Sequence, residues 1–294
     1  FHRLEDVGDA VPKLLELSPS ALEVMDANTL NLIGRAKHGI PADAAATLLV
    51  ELDADDAGID LRAQAERMTE ICRRYRLTSD PVIAFDPEQR AELGKPGKAS
   101  HPTRYRVDPR KKPMNFVDDV VVPAERISEL IRYLEEFFAG QLVPGAIFGH
   151  IGNGNAHIIP LLDVNDQDDF KKMVQGYHEI HQTVLGRFGG SICGEHGDGR
   201  VRAEYVKTMF GPELYDLFVK VKQSFDPTGM LNPGIKISDR PFTDHIDYVR
   251  LSKSCATCAK GNAGCPAYDV FPSEDISSRG GFGIVPDKNY RYLH

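Results

Sequence analysis

The chain has 294 residues, 41% hydrophobic and 27% charged, enough for one large domain or two modest ones with an ordinary packed core. A net charge of −8 and a pI of about 5.7 argue against a nucleic-acid partner, which ordinarily leaves a basic face. No apolar run approaches the roughly 18 residues that crossing a membrane requires. No secretory leader is visible, and the opening at Phe1 reads as a piece of something longer.

In chain order, 9–15 has a helical pattern and 20–25 reads as an apolar strand. Asp26-Ala27-Asn28 can cap a helix running through Ile33. A continuous apolar run at 45–52 predicts a strand, 61–75 a helix and 81–85 another short strand. This alternation suggests an α+β layer with helices on one face of a sheet. Residues 86–113, rich in Gly, Pro and basic side chains, read as a loop over a site. A strand is predicted over 116–122, and Pro123 precedes a helix through Phe138. The runs 146–148 and 158–162 look like hairpin strands, followed by a helix over 169–188 and a short strand over 191–193. Helices over 201–209 and 213–225 lead to a turn-rich ending, and a boundary is expected near 237. The expected domains are thus 1–237, and 238–294 as a linker with a cysteine-containing segment.

Two glycine-rich segments concentrate chemistry. The first is Gly149-His150-Ile151-Gly152-Asn153-Gly154-Asn155-Ala156-His157; the second, Gly190-Ser191-Ile192-Cys193-Gly194-Glu195-His196-Gly197-Asp198-Gly199-Arg200. Two His and one Glu suffice as protein ligands for a catalytic divalent metal, with a position left for water or substrate. His150, His157 and Glu195 are the expected set. If the hairpin loop spans about five residues, the two imidazoles oppose each other across the strands, whereas a one-residue slip would put them on opposite faces. Zinc suits mixed nitrogen and oxygen ligands; iron(II) or manganese stays open. His196 is placed to take a proton from a substrate hydroxyl, or else to orient a ligand. Arg200, Arg202 or Lys111 could hold a substrate carboxylate. The alternative for the histidines is turn capping, and for the basic residues a solvated face.

The five cysteines are odd in number, and three cluster as Cys255-x2-Cys258-x6-Cys265-Pro266. That pattern points to a reducing compartment, hence the cytoplasm or the inner membrane surface, and to a metal or cluster site. Against the ferredoxin spacing C-x2-C-x2-C-x3-C-P, the third cysteine falls on Gly261. A three-cysteine cluster, a ligand from elsewhere, zinc bound by three Cys and a His, and three uncoordinated thiols all remain open.

The glycine segments, with Phe210-Gly211-Pro212-Glu213, Phe225-Asp226-Pro227-Thr228-Gly229-Met230-Leu231-Asn232-Pro233-Gly234 and the 113–123 stretch, resemble the C-terminal domain of FAD-linked oxidases of the vanillyl-alcohol oxidase type. That family includes D-lactate, glycolate and D-2-hydroxyglutarate dehydrogenases. The resemblance implies an antiparallel, ferredoxin-like sheet with helices on one face, forming the substrate-binding cap of a flavoenzyme. It implies oxidation of a D-2-hydroxy acid near a metal on His150, His157 and Glu195, with His196 as base and hydride passing to flavin. Asn155 would contact substrate and Asn232 would lie near the flavin domain, which would hold most of the FAD and be the chain's partner. Cys265-Pro266-Ala267-Tyr268 and Ser277-Ser278-Arg279-Gly280 are similar to the start of an iron–sulfur module that carries electrons onward. The family's Trp-x-x-Arg falls on Gly94 and Gly97, so that carboxylate anchor is either missing here or displaced to Lys98 or Arg104. A stand-alone metal-dependent hydrolase and a non-catalytic electron-transfer module are the competing readings.

Overall fold

The computed structural model describes residues 1–53, 60–97, 111–141, 145–163 and 166–245. The chain divides into two compact units interleaved in sequence: Phe1–Val107 with Val122–Pro160, and Asp108–Val121 with Leu161–His294. Strand pairing is antiparallel in both, and the architecture is α+β, as expected.

In the first unit, β1 (Ala21–Asp26) lies between β2 (Ala46–Glu51) and β5 (Gly145–Gly149). Its burial alternates, with Leu22, Val24 and Asp26 buried and Ala21, Glu23 and Met25 on the other face. Registers run from Ala21↔Glu51 to Asp26↔Ala46 on one side, and Val24↔Gly149 and Met25↔Phe148 on the other. β6 (Asn155–Leu162) pairs with β5 and is buried along its length. Helix α1 (Leu4–Leu15) turns Val7, Ala10, Val11 and Leu14 inward and packs on α5 (Ile127–Gln141). Their close approach needs Gly8, whose absent Cβ would press on the Ser128 backbone. Asp26 ends β1 and starts α2 (Ala27–Ile33) by accepting the Thr29 N–H at 2.8 Å. Asp60 caps α3 (Leu61–Cys72) in the same way.

In the second unit, β3 (Lys112–Pro113) pairs with the end of β6 as Lys112↔Leu162, and β4 (Val120–Val121) bridges to Ser191. Three helices follow: α6 (Gln167–Gly186), α7 (Ala203–Phe210) and α8 (Pro212–Phe225). Met173, Tyr177, Ile180 and Val184 form the buried face of α6. Phe242 stacks on Tyr177 with centroids 3.9 Å apart and is buried, so packing continues past the expected boundary at 237.

Four expectations are corrected. Residues 81–85 form no strand, and Val82 and Phe85 are 72% and 44% exposed. An apolar run that opens with a proline finds no sheet edge there; the Arg62 guanidinium instead sits 4.3 Å over the Phe85 ring. The 86–113 segment is not wholly loop: Asp86 caps α4 (Pro87–Leu93), with proline in its first turn. Within 116–122 only Val120–Val121 is strand, because the chain turns sharply at Asp119. The 191–193 strand is reduced to a bridge between Ser191 and Val121. No helix among the described residues is long and apolar enough to cross a membrane. Cys255, Cys258, Cys265, Lys98 and Arg104 lie outside the described residues.

Candidate functional site

The first unit carries the imidazole pair. His157 pairs with Phe148, so the two histidines are not directly opposed as expected. β5 ends at Gly149, and His150 leads into a short 3-10 turn, with its carbonyl accepting the Asn155 N–H. His150 is two residues on from Phe148, a diagonal neighbour of His157, so the rings still meet: centroids lie 5.6 Å apart at 83°. Gly149, at φ +135°, leaves the space that His157 Cδ2 occupies. His150 Nδ1 lies 2.7 Å from Glu23 Oε1, which fixes the ring and directs Nε2 elsewhere. His157 and Asn155 are both buried.

The second unit carries the acid–imidazole cluster. Asp119 is fully buried at φ +76°. Its Oδ2 accepts the N–H groups of Gly194, Glu195 and His196 at 2.9, 2.9 and 2.8 Å. Burial pushes the Asp119 carboxyl up, but the His196 and Glu195 N–H groups reverse this and hold it below the usual range. His196 Nδ1 lies 3.4 Å from buried Asp118 and its Nε2 3.6 Å from Glu195. The hydrogen bond to Asp118 raises the His196 pKa against partial burial. Asp119, Glu195 and His196 each offer one ligand atom, all within 4.8 Å of one another. Burial pushes the Cys193 thiol up to about 11, so it stays protonated at neutral pH and is no nucleophile.

Of the other expected residues, Arg202 is buried, with its guanidinium donating to the Gly197 and Asp118 carbonyls. These bonds brace the loop. Arg200 donates to the Pro233 carbonyl through Nε and Nη2 at 3.1 and 2.8 Å. Lys111 is half-buried just before β3, and Asn232 is exposed at φ +44°. Glu23, Asp118 and Asp119 were missed. A signal existed: two adjacent carboxylates, Asp118 and Asp119, interrupt an otherwise apolar run from Phe116 to Val122.

The family described as FAD linked oxidases, C-terminal domain, matches residues 1–235. The glycolate oxidase subunit GlcD of Bacillus subtilis is 29% identical over 220 residues, covering 74% of this chain and 45% of the relative. Its Escherichia coli counterpart is 30% identical over 240 residues, covering 81% and 46%. The D-lactate dehydrogenase of Anaerostipes hadrus is 36% identical over 116 residues, covering 40% and 24%. The chain therefore spans about half the length of the glycolate oxidase subunits it matches. Among solved structures, the 4-ethylphenol oxidase from Gulosibacter chungangensis shares the fold at a TM-score of 0.53 and 15% identity, covering 81% of this chain and 52% of that one. With the family matched over residues 1–235 and the fold shared, this chain belongs to the FAD linked oxidases, as their C-terminal domain.

Proposed function

We propose that the chain is the substrate-side part of an FAD-linked oxidoreductase that converts a small D-2-hydroxy acid to the 2-oxo acid. The observation that carries this is the Asp118–His196 pair beside Glu195, a general base with its own orienting carboxylate. Relatives named for glycolate and D-lactate support the substrate class. The reaction removes the hydroxyl proton and, as a hydride, the hydrogen on Cα. His196 takes the proton at Nε2 while Asp118 holds Nδ1, and Arg200, Lys111 and Asn155 are assigned to bind the acid. His150, His157 and Glu195 are assigned to a divalent metal, zinc by preference. Imidazole and carboxylate donors suit such an ion, and the Glu23 carboxylate at His150 Nδ1 supports the assignment, in the manner of a carboxylate–histidine–metal triad. A bound metal supplies Lewis acidity that lowers the hydroxyl pKa. Flavin, held mainly by a further domain with Asn232 nearby, supplies the electron acceptor. Cys255, Cys258 and Cys265 are assigned to an iron–sulfur cluster that relays electrons onward.

The test is dye reduction by the flavin-loaded, full-length protein with glycolate, D-lactate, L-lactate and D-2-hydroxyglutarate. At least one D or achiral acid should turn over, and His196→Asn should lower kcat by about 10²–10⁴-fold with flavin loading unchanged. No turnover of any 2-hydroxy acid at full flavin and metal occupancy would reject the assignment.

A further inference from the structure

We propose that Asp119 is a positioning residue that aims Glu195 and His196, through the backbone of the segment that carries them. Residues 193–199 belong to no helix or strand, so no regular hydrogen-bond ladder holds them. At its centre a single carboxylate oxygen accepts three consecutive N–H groups, from Gly194, Glu195 and His196, while Arg202 braces Gly197. The Gly194 N–H also reaches the Asp119 carbonyl at 2.9 Å. Consecutive N–H groups converging on one point form the kind of cradle that otherwise binds a ligand anion. Here the anion is supplied by the protein.

The backbone at Asp119 explains how two adjacent acids serve one segment. In extended chain, neighbouring side chains point to opposite faces. The left-handed turn at φ +76° breaks that alternation. Asp118 therefore meets the His196 ring, at 3.4 Å, while Asp119 meets the His196 backbone, at 2.8 Å. Strained non-glycine residues persist where the surroundings over-determine them. The full burial of Asp119 and its three donors meet that condition. The catalytic meaning of this arrangement rests on the function proposed above; the arrangement itself does not.

The test uses the full-length, flavin-loaded protein with Asp119→Gly and Asp119→Asn. Both replacements tolerate a positive φ, but only Asn keeps an oxygen to accept the N–H groups. We expect Asp119→Gly to lower kcat on the order of 100-fold and to weaken zinc(II) affinity by about 10–100-fold, with KM changed less than about threefold. Asp119→Asn should recover at least about tenfold of the lost kcat. A Gly variant within about twofold of wild type in both kcat and zinc affinity overturns the proposal, as does an Asn variant no better than Gly. Should neither variant fold, amide exchange in the wild type decides: the Gly194, Glu195 and His196 amides should exchange at least about 100-fold slower than coil, and coil-like rates overturn the proposal. If no hydroxy acid is turned over, the proposed activity fails, while zinc titration and amide exchange still decide the role of Asp119.

Discussion

His181 should make the second unit sensitive to acid. The ring is fully buried on α6 against Tyr177 and Tyr205, with centroids at 4.5 and 5.2 Å, and neither ring nitrogen has a hydrogen-bond partner among the described residues. Burial, then the charges of Arg202 and His178, lower its pKa to about 3. The unfolded chain titrates it near 6.5, so unfolding takes up a proton anywhere between these values. Its contribution is therefore complete above about pH 6.5 and is lost as pH falls toward about 3. Over the 1.5 units from 6.5 to 5, at 1.36 kcal/mol per unit, the loss is about 2 kcal/mol. Asp26 acts in the opposite sense: burial raises its pKa to about 6, so its ionisation on unfolding lowers stability as pH rises from about 4 to 6. A comparison with His181→Leu, similar in volume and without ring nitrogens, removes that background. The assay is urea unfolding followed by tyrosine fluorescence, undisturbed because the chain has 10 Tyr and no Trp. Between pH 8 and pH 5 the wild type should lose about 2 kcal/mol more than the variant. Equal losses in the two proteins would refute a desolvated, uncharged His181.

Two further outcomes are expected. Glu23→Ala should weaken zinc binding by about 10–100-fold with little change in thermal midpoint, because it releases His150 Nδ1 and leaves the sheet intact; calorimetric titration with zinc checks this. Gly154→Ala should destabilise the first unit by roughly 2–4 kcal/mol in urea, since φ is +71° and the new methyl would collide with the Val122 carbonyl, whose own N–H bonds Gly154.

The helices and the buried strands of the first unit were legible because their signals are local. The spacing of Leu61, Ala65, Met68 and Cys72 and the caps at Asp26 and Asp60 need no tertiary information. The 81–85 strand failed for the converse reason, since an apolar run becomes a strand only beside an edge that sequence does not reveal. The two glycine segments stood out by composition. The register that places Phe148 opposite His157 did not, because it depends on a 3-10 turn inside the hairpin. Asp119 was hidden by its conformation: nothing in Phe116-Val117-Asp118-Asp119 announces a left-handed turn, and without that turn its side chain would face away from residues 194–196.

The seat of Phe242 bears on how this polypeptide can be cut. The family match stops at 235, seven positions short of a ring that stacks with Tyr177 and Phe116. A version trimmed at the family limit would keep His150, His157, Glu195 and His196 and lose the plug that closes the aromatic cluster around His181. Water entering there would hydrate the imidazole and expose the apolar face of α6, making the shortened protein sticky and acid-tolerant at once. The same ring is an anchor for whatever the chain joins beyond it.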